Sequence, residues 1–212
     1  MKREKINNGR LSAYLMIITG VVLVMVAVYY YTGTMARIEE RRLQIEREKE
    51  ILVQELETHS EDVVEQPEPK EERSFLPNTL GFLEIEKLEV TLPIFPDATR
   101  KSLRDGVGVI ETTDAPSSEM NTTSAIAGHR GGYNAKQTFF KIDTLKSGDL
   151  IKVITADGEL VYAVTGSEVI EPTDWSKFGR EEDKSKLILM TCHPYPVNNK
   201  RLLVYSELVE VN

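Results

Sequence analysis

Three polar residues that end or open apolar runs have the types needed for covalent acyl chemistry. His129 closes TSAIAGH, Cys192 closes KLILMTC, and Arg201 opens RLLVYSEL. Residues at strand ends project into loops, where a rigid scaffold can present them to a substrate. The thiolate is the nucleophilic form of cysteine, whose free pKa is about 8.5, and a nearby imidazole and guanidinium favour the charged sulfur. A His–Cys pair of this kind titrates as one coupled unit. His129 could protonate a leaving amine as general acid and then deprotonate the incoming nucleophile. Arg201 stays charged and offers fork-shaped donors suited to the oxyanion of a tetrahedral intermediate. Each residue alone has a plainer reading. A strand-ending cysteine is commonly a small buried hydrophobe, and a histidine beside glycine is commonly a turn residue. Cys192 is the single cysteine of the chain, which excludes an intrachain disulfide and multi-cysteine zinc motifs. A zinc site of His129, Cys192 and His193 would still lack a ligand. No cofactor and no metal are expected.

Short alternating apolar runs separated by turn residues must position these three. They predict strands over 81–85, 90–95, 106–111, 123–127, 150–155, 159–168, 187–191 and 201–208, with short helices over 99–104 and 137–145. In 187–192 the alternation sets Ile188, Met190 and Cys192 on one face, and Leu187, Leu189 and Thr191 on the other. His193 then points away from Cys192 if the strand persists. Pro194, Pro196 and Asn198-Asn199 form a turn that lets the chain double back, bringing Arg201 beside Cys192 on the next strand. About eight strands in this length suggest a closed or nearly closed barrel, which removes exposed edges.

The rest of the 212-residue chain is unlike this part, and the net charge of −8 is unevenly spread. Residues 1–10 hold four Lys/Arg against one Glu, and residues 33–74 hold seven Lys/Arg against thirteen Asp/Glu. The acidic balance argues against nucleic acid as the main partner. Between these segments, residues 11–32 carry no charge. At about 1.5 Å per residue they span about 33 Å, enough for a bilayer core of about 30 Å. Tyr29-Tyr30-Tyr31 fits an interfacial aromatic belt. A cleaved signal peptide is the rival reading, but the apolar run is longer than an h-region usually is. The basic residues of the N-terminus favour a cytoplasmic start, although Arg37, Arg41, Arg42, Arg47 and Lys49 follow the span. Residues 35–57 read as a helix. Ile38, Ile45 and Leu52 recur every seven residues, but Arg41 and Glu48 interrupt the seam, so a solvated spacer is preferred to a coiled coil. Residues 58–73 are acidic and contain two prolines, which predicts a flexible tether.

The residues around the three polar groups make the chain from about Gly81 to Leu208 resemble the sortases, the membrane-anchored cysteine transpeptidases of Gram-positive bacteria. GFLEIEKLEVTLPIF resembles the opening strands, and Ala127-Gly128-His129-Arg130-Gly131 the histidine motif. TFFKIDTLKSGD resembles the stretch that follows it. Leu189-Met190-Thr191-Cys192-His193-Pro194-Tyr195 resembles the nucleophile signature, and NNKRLLV the arginine strand. The resemblance implies a mainly β fold, an eight-stranded barrel with short helices, preceded here by a transmembrane helix and a spacer helix. It puts the catalytic residues at His129, Cys192 and Arg201, and substrate-groove positions at Ala127, Met190 and Thr191. It implies cleavage of an LPxTG-type signal after threonine, a thioester on the cysteine, and transfer to an amine. The acceptor would be a cell-wall precursor or, in a pilin polymerase, a pilin lysine. The nucleophile and histidine motifs resemble class C, whereas a single N-terminal anchor resembles class A.

The expected organisation is a cytoplasmic tail over 1–10 and an anchor over 11–32. A spacer and acidic linker follow over 33–74, then an extracytoplasmic catalytic barrel over 75–212. Leu76-Pro77-Asn78-Thr79 also spells the first four positions of an LPxT signal, with Leu80 in place of glycine. It is expected either to visit the groove as a pseudosubstrate or to serve only as a lead-in to the first strand.

Overall fold

The computed structural model describes residues 8–61, 78–131 and 139–212. The chain divides into two compact units, residues 1–44 and 45–212. A single helix, α1 (Asn8–Glu61), runs where a span and a separate spacer were expected, because no proline separates them and one glycine, Gly33, costs a helix only about 1 kcal/mol. Its apolar part has the length and composition to cross a membrane. The hydroxyls there bond within the helix: Thr19 donates to the Leu15 carbonyl at 2.8 Å, Thr32 to Val28 at 3.0 Å and Thr34 to Tyr30 at 2.8 Å. Such bonds satisfy polar groups where no water is available.

The second unit holds eight strands: β1 (Gly81–Ile85), β2 (Val90–Phe95), β3 (Val107–Val109), β4 (Thr122–Ala127), β5 (Leu150–Thr155), β6 (Gly158–Ile170), β7 (Ser185–His193) and β8 (Lys200–Val211). They close into a barrel in the order β1-β2-β3-β4-β7-β8-β6-β5. The β2–β3 and β4–β7 pairs are parallel and the others antiparallel. The alternation read from sequence lands on these strands, with β6, β7 and β8 longer and β3 shorter than expected. A helix α2 (Arg100–Asp105) follows Thr99, whose hydroxyl caps the Ser102 amide, as serine and threonine do at helix starts. The second expected helix is corrected: only a 3-10 turn, Ile142–Thr144, forms in its described part. The remainder of that helix, residues 137–138, lies outside the described residues, as does most of the predicted tether.

Every strand sends side chains to one interior cluster, including Leu83, Leu92, Val107, Ile126, Val153, Tyr162, Leu189 and Val204. A second apolar cluster draws strand residues only from β4, β6, β7 and β8, namely Ala125, Ala127, Ile170, Ile188 and Leu203. Leu103 of α2 and Phe178 of the β6–β7 connection pack onto it. It therefore lies on the outer face of the barrel.

The expectation of a solvated spacer is also corrected. Ile45 and Leu52, two of the three heptad positions, pack against Phe82 of β1 and Ile154 of β5. Lys49, between them, reaches Glu84 at 3.4 Å. The seven-residue repeat thus marks a stripe that docks on the barrel rather than a helix–helix seam. Burying one such leucine stabilises by about 1.5–3 kcal/mol. Leu52→Glu is expected to release this stretch, raising amide exchange over residues 45–58 well beyond any change in the barrel strands. Unchanged exchange there would contradict the docking.

Candidate active site

The carboxyl ends of β4 and β7 and the amino end of β8 meet at one end of the barrel, because β4 and β7 are parallel and β8 runs against them. Cys192 stands directly opposite Arg201 in the β7–β8 ladder. Residues so paired have Cα atoms about 4.5–5.5 Å apart. Ala127 pairs with Met190. The Gly128 amide donates to the Met190 carbonyl at 3.0 Å, which carries the register one residue past the strand. His129 follows at the level of Cys192, on the adjoining chain. Sequence positions far apart therefore come together on β7, β8 and the segment that continues β4.

Side-chain direction follows the pleat. Leu187 and Leu189 enter the interior cluster, whereas Ile188 and Met190 belong to the outer one. Cys192 continues the outer row. It is a free, partly exposed thiol, Arg201 is partly exposed, and His129 is exposed. One step along the barrel, Ala127, Met190, Leu203 and Glu168 form a row across β4, β7, β8 and β6. Ala127 and Met190 thus flank the polar trio as an apolar strip. Beyond them a cavity of about 710 Å³ opens between β6, β8 and the β6–β7 connection, lined by Gly166, Glu168, Lys177, Lys186 and Tyr205 among others. Tyr205 donates to Glu168 at 3.1 Å. Burial, and then that bond to a carboxylate, push the Tyr205 phenol above its ordinary value, so it remains a neutral donor.

Thr191 is the exception among the expected groove positions. Its side chain is on the inner face, 2% exposed, and donates to the Gly128 carbonyl at 2.8 Å. The one-residue offset from Cys192 turns it away from the outer surface, so it cannot line the groove there. Instead it ties β7 to the chain leading into His129.

The backbone around His129 is pinned from several sides. Its carbonyl accepts from the Phe139 amide at 2.8 Å. The Phe139 ring lies so close to Gly128 that a Cβ there would sit 2.7 Å from it, which is why a glycine precedes the histidine. A Cβ on Gly131 would collide with the Tyr195 ring, and that ring packs edge-on to Phe140 at 5.5 Å. The β7–β8 connection therefore folds onto the histidine segment. His193, still within β7, turns away from Cys192 as the alternation predicts. Arg130 meets it: their Nη1 and Nδ1 atoms are 2.7 Å apart, and Arg130 Nη2 lies 2.7 Å from Asp143. In the sequence, Arg130 stands out only as part of a motif. Its burial depends on the contact between the ends of β4 and β7, which spacing alone does not reveal. Among the described residues no cluster of His, Cys, Asp and Glu is arranged to hold a metal.

Residues 83–209 match the sortase domain, well over half of the chain. The chain belongs to the sortase family. It is 30% identical to sortase D of Bacillus subtilis (strain 168) over 146 residues, covering 66% of this chain and 70% of that one. It is 29% identical to sortase A of Bacillus anthracis over 131 residues, or 61% of this chain and 60% of that one. Among solved structures, sortase C1 from Streptococcus agalactiae superposes with a TM-score of 0.61 at 30% identity, over 64% of this chain and 69% of that one. Sortases are cysteine transpeptidases that sort surface proteins to the cell wall of Gram-positive bacteria and associate with the membrane. The relatives fall in several classes, so family membership fixes the type of reaction and leaves this sortase's signal and acceptor to its own groove.

Proposed function

We propose that this sortase cleaves an LPxTG-type signal after its threonine and joins the acyl part, through a Cys192 thioester, to a cell-wall amine. The observation that carries the reading is the pairing of Cys192 with Arg201 on the outer face, beside the apolar strip of Ala127 and Met190. An extended peptide on that strip would bring its threonine carbonyl carbon to the sulfur. Thiolate attack forms the C–S bond and an oxyanion, which the Arg201 guanidinium stabilises. His129 then gives its proton to the departing glycine nitrogen as the C–N bond breaks. The thioester next meets the acceptor amine. His129 removes an amine proton, a second tetrahedral oxyanion forms at Arg201, and the sulfur leaves as the amide is made. Thr191 positions the loop before His129 and does not touch the peptide. Residues 11–32 serve as the anchor, with residues 1–10 inside and the barrel outside, where sorted proteins and their acceptors meet.

The test is mass spectrometry of this sortase with LPxTG-type peptides and candidate amines. An acyl adduct on Cys192 and an amine-dependent product are expected, with a short cross-bridge peptide sufficient as acceptor. A product formed only with a lysine-bearing pilin domain would assign pilin polymerisation instead. Release into water at one rate, with or without amine, would make the protein a hydrolase and overturn the proposal.

A further inference from the structure

The structure assigns Arg130 a positioning role: its guanidinium straps the chain carrying His129 to the strand carrying Cys192, through the neutral ring of His193. The inference rests on His129 and Cys192 being the catalytic pair, as proposed above. Arg130 directly follows His129, and His193 directly follows Cys192. Each partner in the strap is therefore one covalent step from a reacting residue.

Arg130 is 7% exposed, unusual for a residue type that is rarely buried unless paired. Nη1 reaches His193 Nδ1 at 2.7 Å and Nη2 reaches Asp143 at 2.7 Å. A guanidinium has donors only, so Nδ1 must accept. His193 then carries its proton on Nε2 and is uncharged. Nε of Arg130 is buried with no partner among the described residues. Losing Nδ1 would leave a buried Arg130 donor unsatisfied, which is costly for a charged group. The buried strap therefore resists opening. Among the described residues, the charged groups placed around His193 are Arg130, three residues past β4, Asp143 of the 3-10 turn bound to that arginine, and Lys200 opposite it on β8. Lys200 is itself paired with Glu171.

The strap complements the other contacts of the histidine segment. Gly128 is bound to β7 through its amide and, from Thr191, its carbonyl. On the far side the His129 carbonyl accepts from the Phe139 amide and Gly131 lies against the Tyr195 ring, but neither contact bonds that side to β7. Arg130 does so, leaving the exposed imidazole as the part free to move protons. Displacing such a group by about 1 Å can cost about 100-fold in rate.

The experiment compares His193→Ala, His193→Asn and Arg130→Met in the full-length enzyme, using peptide transfer kinetics and imidazole nitrogen NMR. Asparagine places its Oδ1 where Nδ1 stood and can accept from Arg130. We expect His193→Ala and Arg130→Met to lower kcat about 10- to 100-fold with peptide KM within about twofold. His193→Asn should recover to within about threefold of the parent. The NMR spectrum of the parent should show His193 protonated at Nε2 with Nδ1 accepting, and Arg130→Met should abolish that preference. A parent ring protonated at Nδ1, or His193→Ala with unchanged kcat, would overturn the strap. Arg130→Met that does not fold leaves the two His193 variants and the parent spectrum to decide. Because the NMR result needs no turnover, it separates failure of the strap from failure of the catalytic reading, which an active Cys192→Ala would expose.

Discussion

Cys192→Ala is expected to reduce peptide transfer to the uncatalysed background, a loss on the order of 10⁴-fold or more. The sulfur is the only cysteine thiol in the chain, and no other thiol can take the acyl group. The same substitution should leave the fold nearly untouched. Cys192 is partly exposed at the end of β7, outside both apolar clusters, so its removal opens no sealed cavity. Surface changes of that kind shift stability by about 0.5 kcal/mol or less. Loss of transfer with an unchanged melting temperature is thus the signature of a missing nucleophile. Retained transfer would place the chemistry elsewhere. Cys192→Ser is a sharper form of the same test, since the hydroxyl fits the site but ionises poorly. It should show peptide binding with no stable acyl adduct.

The second large effect concerns Arg201. Arg201→Ala should lower kcat by about 10²–10³-fold, the usual range for removing one oxyanion donor. Peptide KM should change much less, because the oxyanion exists only in the transition state and intermediates. The guanidinium is well placed to act this way. It sits opposite Cys192 in the ladder, and Nη1 donates to the Lys200 carbonyl at 2.9 Å. That bond uses one of its donors and leaves the others for a ligand. Arg201→Lys should recover only part of the loss, since a flexible point charge replaces a planar fork. A rise in KM with kcat intact would instead make Arg201 a ground-state binding residue. These effects bear on the rate of acyl transfer, whereas the Leu52 and His193 substitutions test how the scaffold holds the site.

The two kinds of outcome follow from what a sequence can encode locally. Alternation in KLILMTCH was enough to put Cys192 on the face opposite Leu189, because a strand's side-chain period is two regardless of its neighbours. The same argument already contained the correction for Thr191, whose offset from Cys192 sends it inward, where it bonds to Gly128. The short-helix expectation over 137–145 failed in its described part for another reason. A short run holding Ile142 and Leu145 satisfies either a helix or a single turn, and burial of both side chains in the barrel interior selected the turn.

Helix α1 shows the same division. Its apolar run was legible from charge alone. The heptad of Ile38, Ile45 and Leu52 was legible as a stripe, but its partner was not, since Phe82 and Ile154 sit on strands joined only by the β1–β5 pairing.

By itself, the sequence determined which three polar residues have the types for covalent chemistry, the strands around them and the apolar segment ahead of them, because residue type and short-range period are local properties. Tertiary structure decided that β4, β7 and β8 lie side by side with their relevant ends together, that the trio faces outward, and that Arg130 is buried between His193 and Asp143. Those facts depend on which strands pair and in what register. Barrel closure, which satisfies every strand edge at once, fixes that pairing.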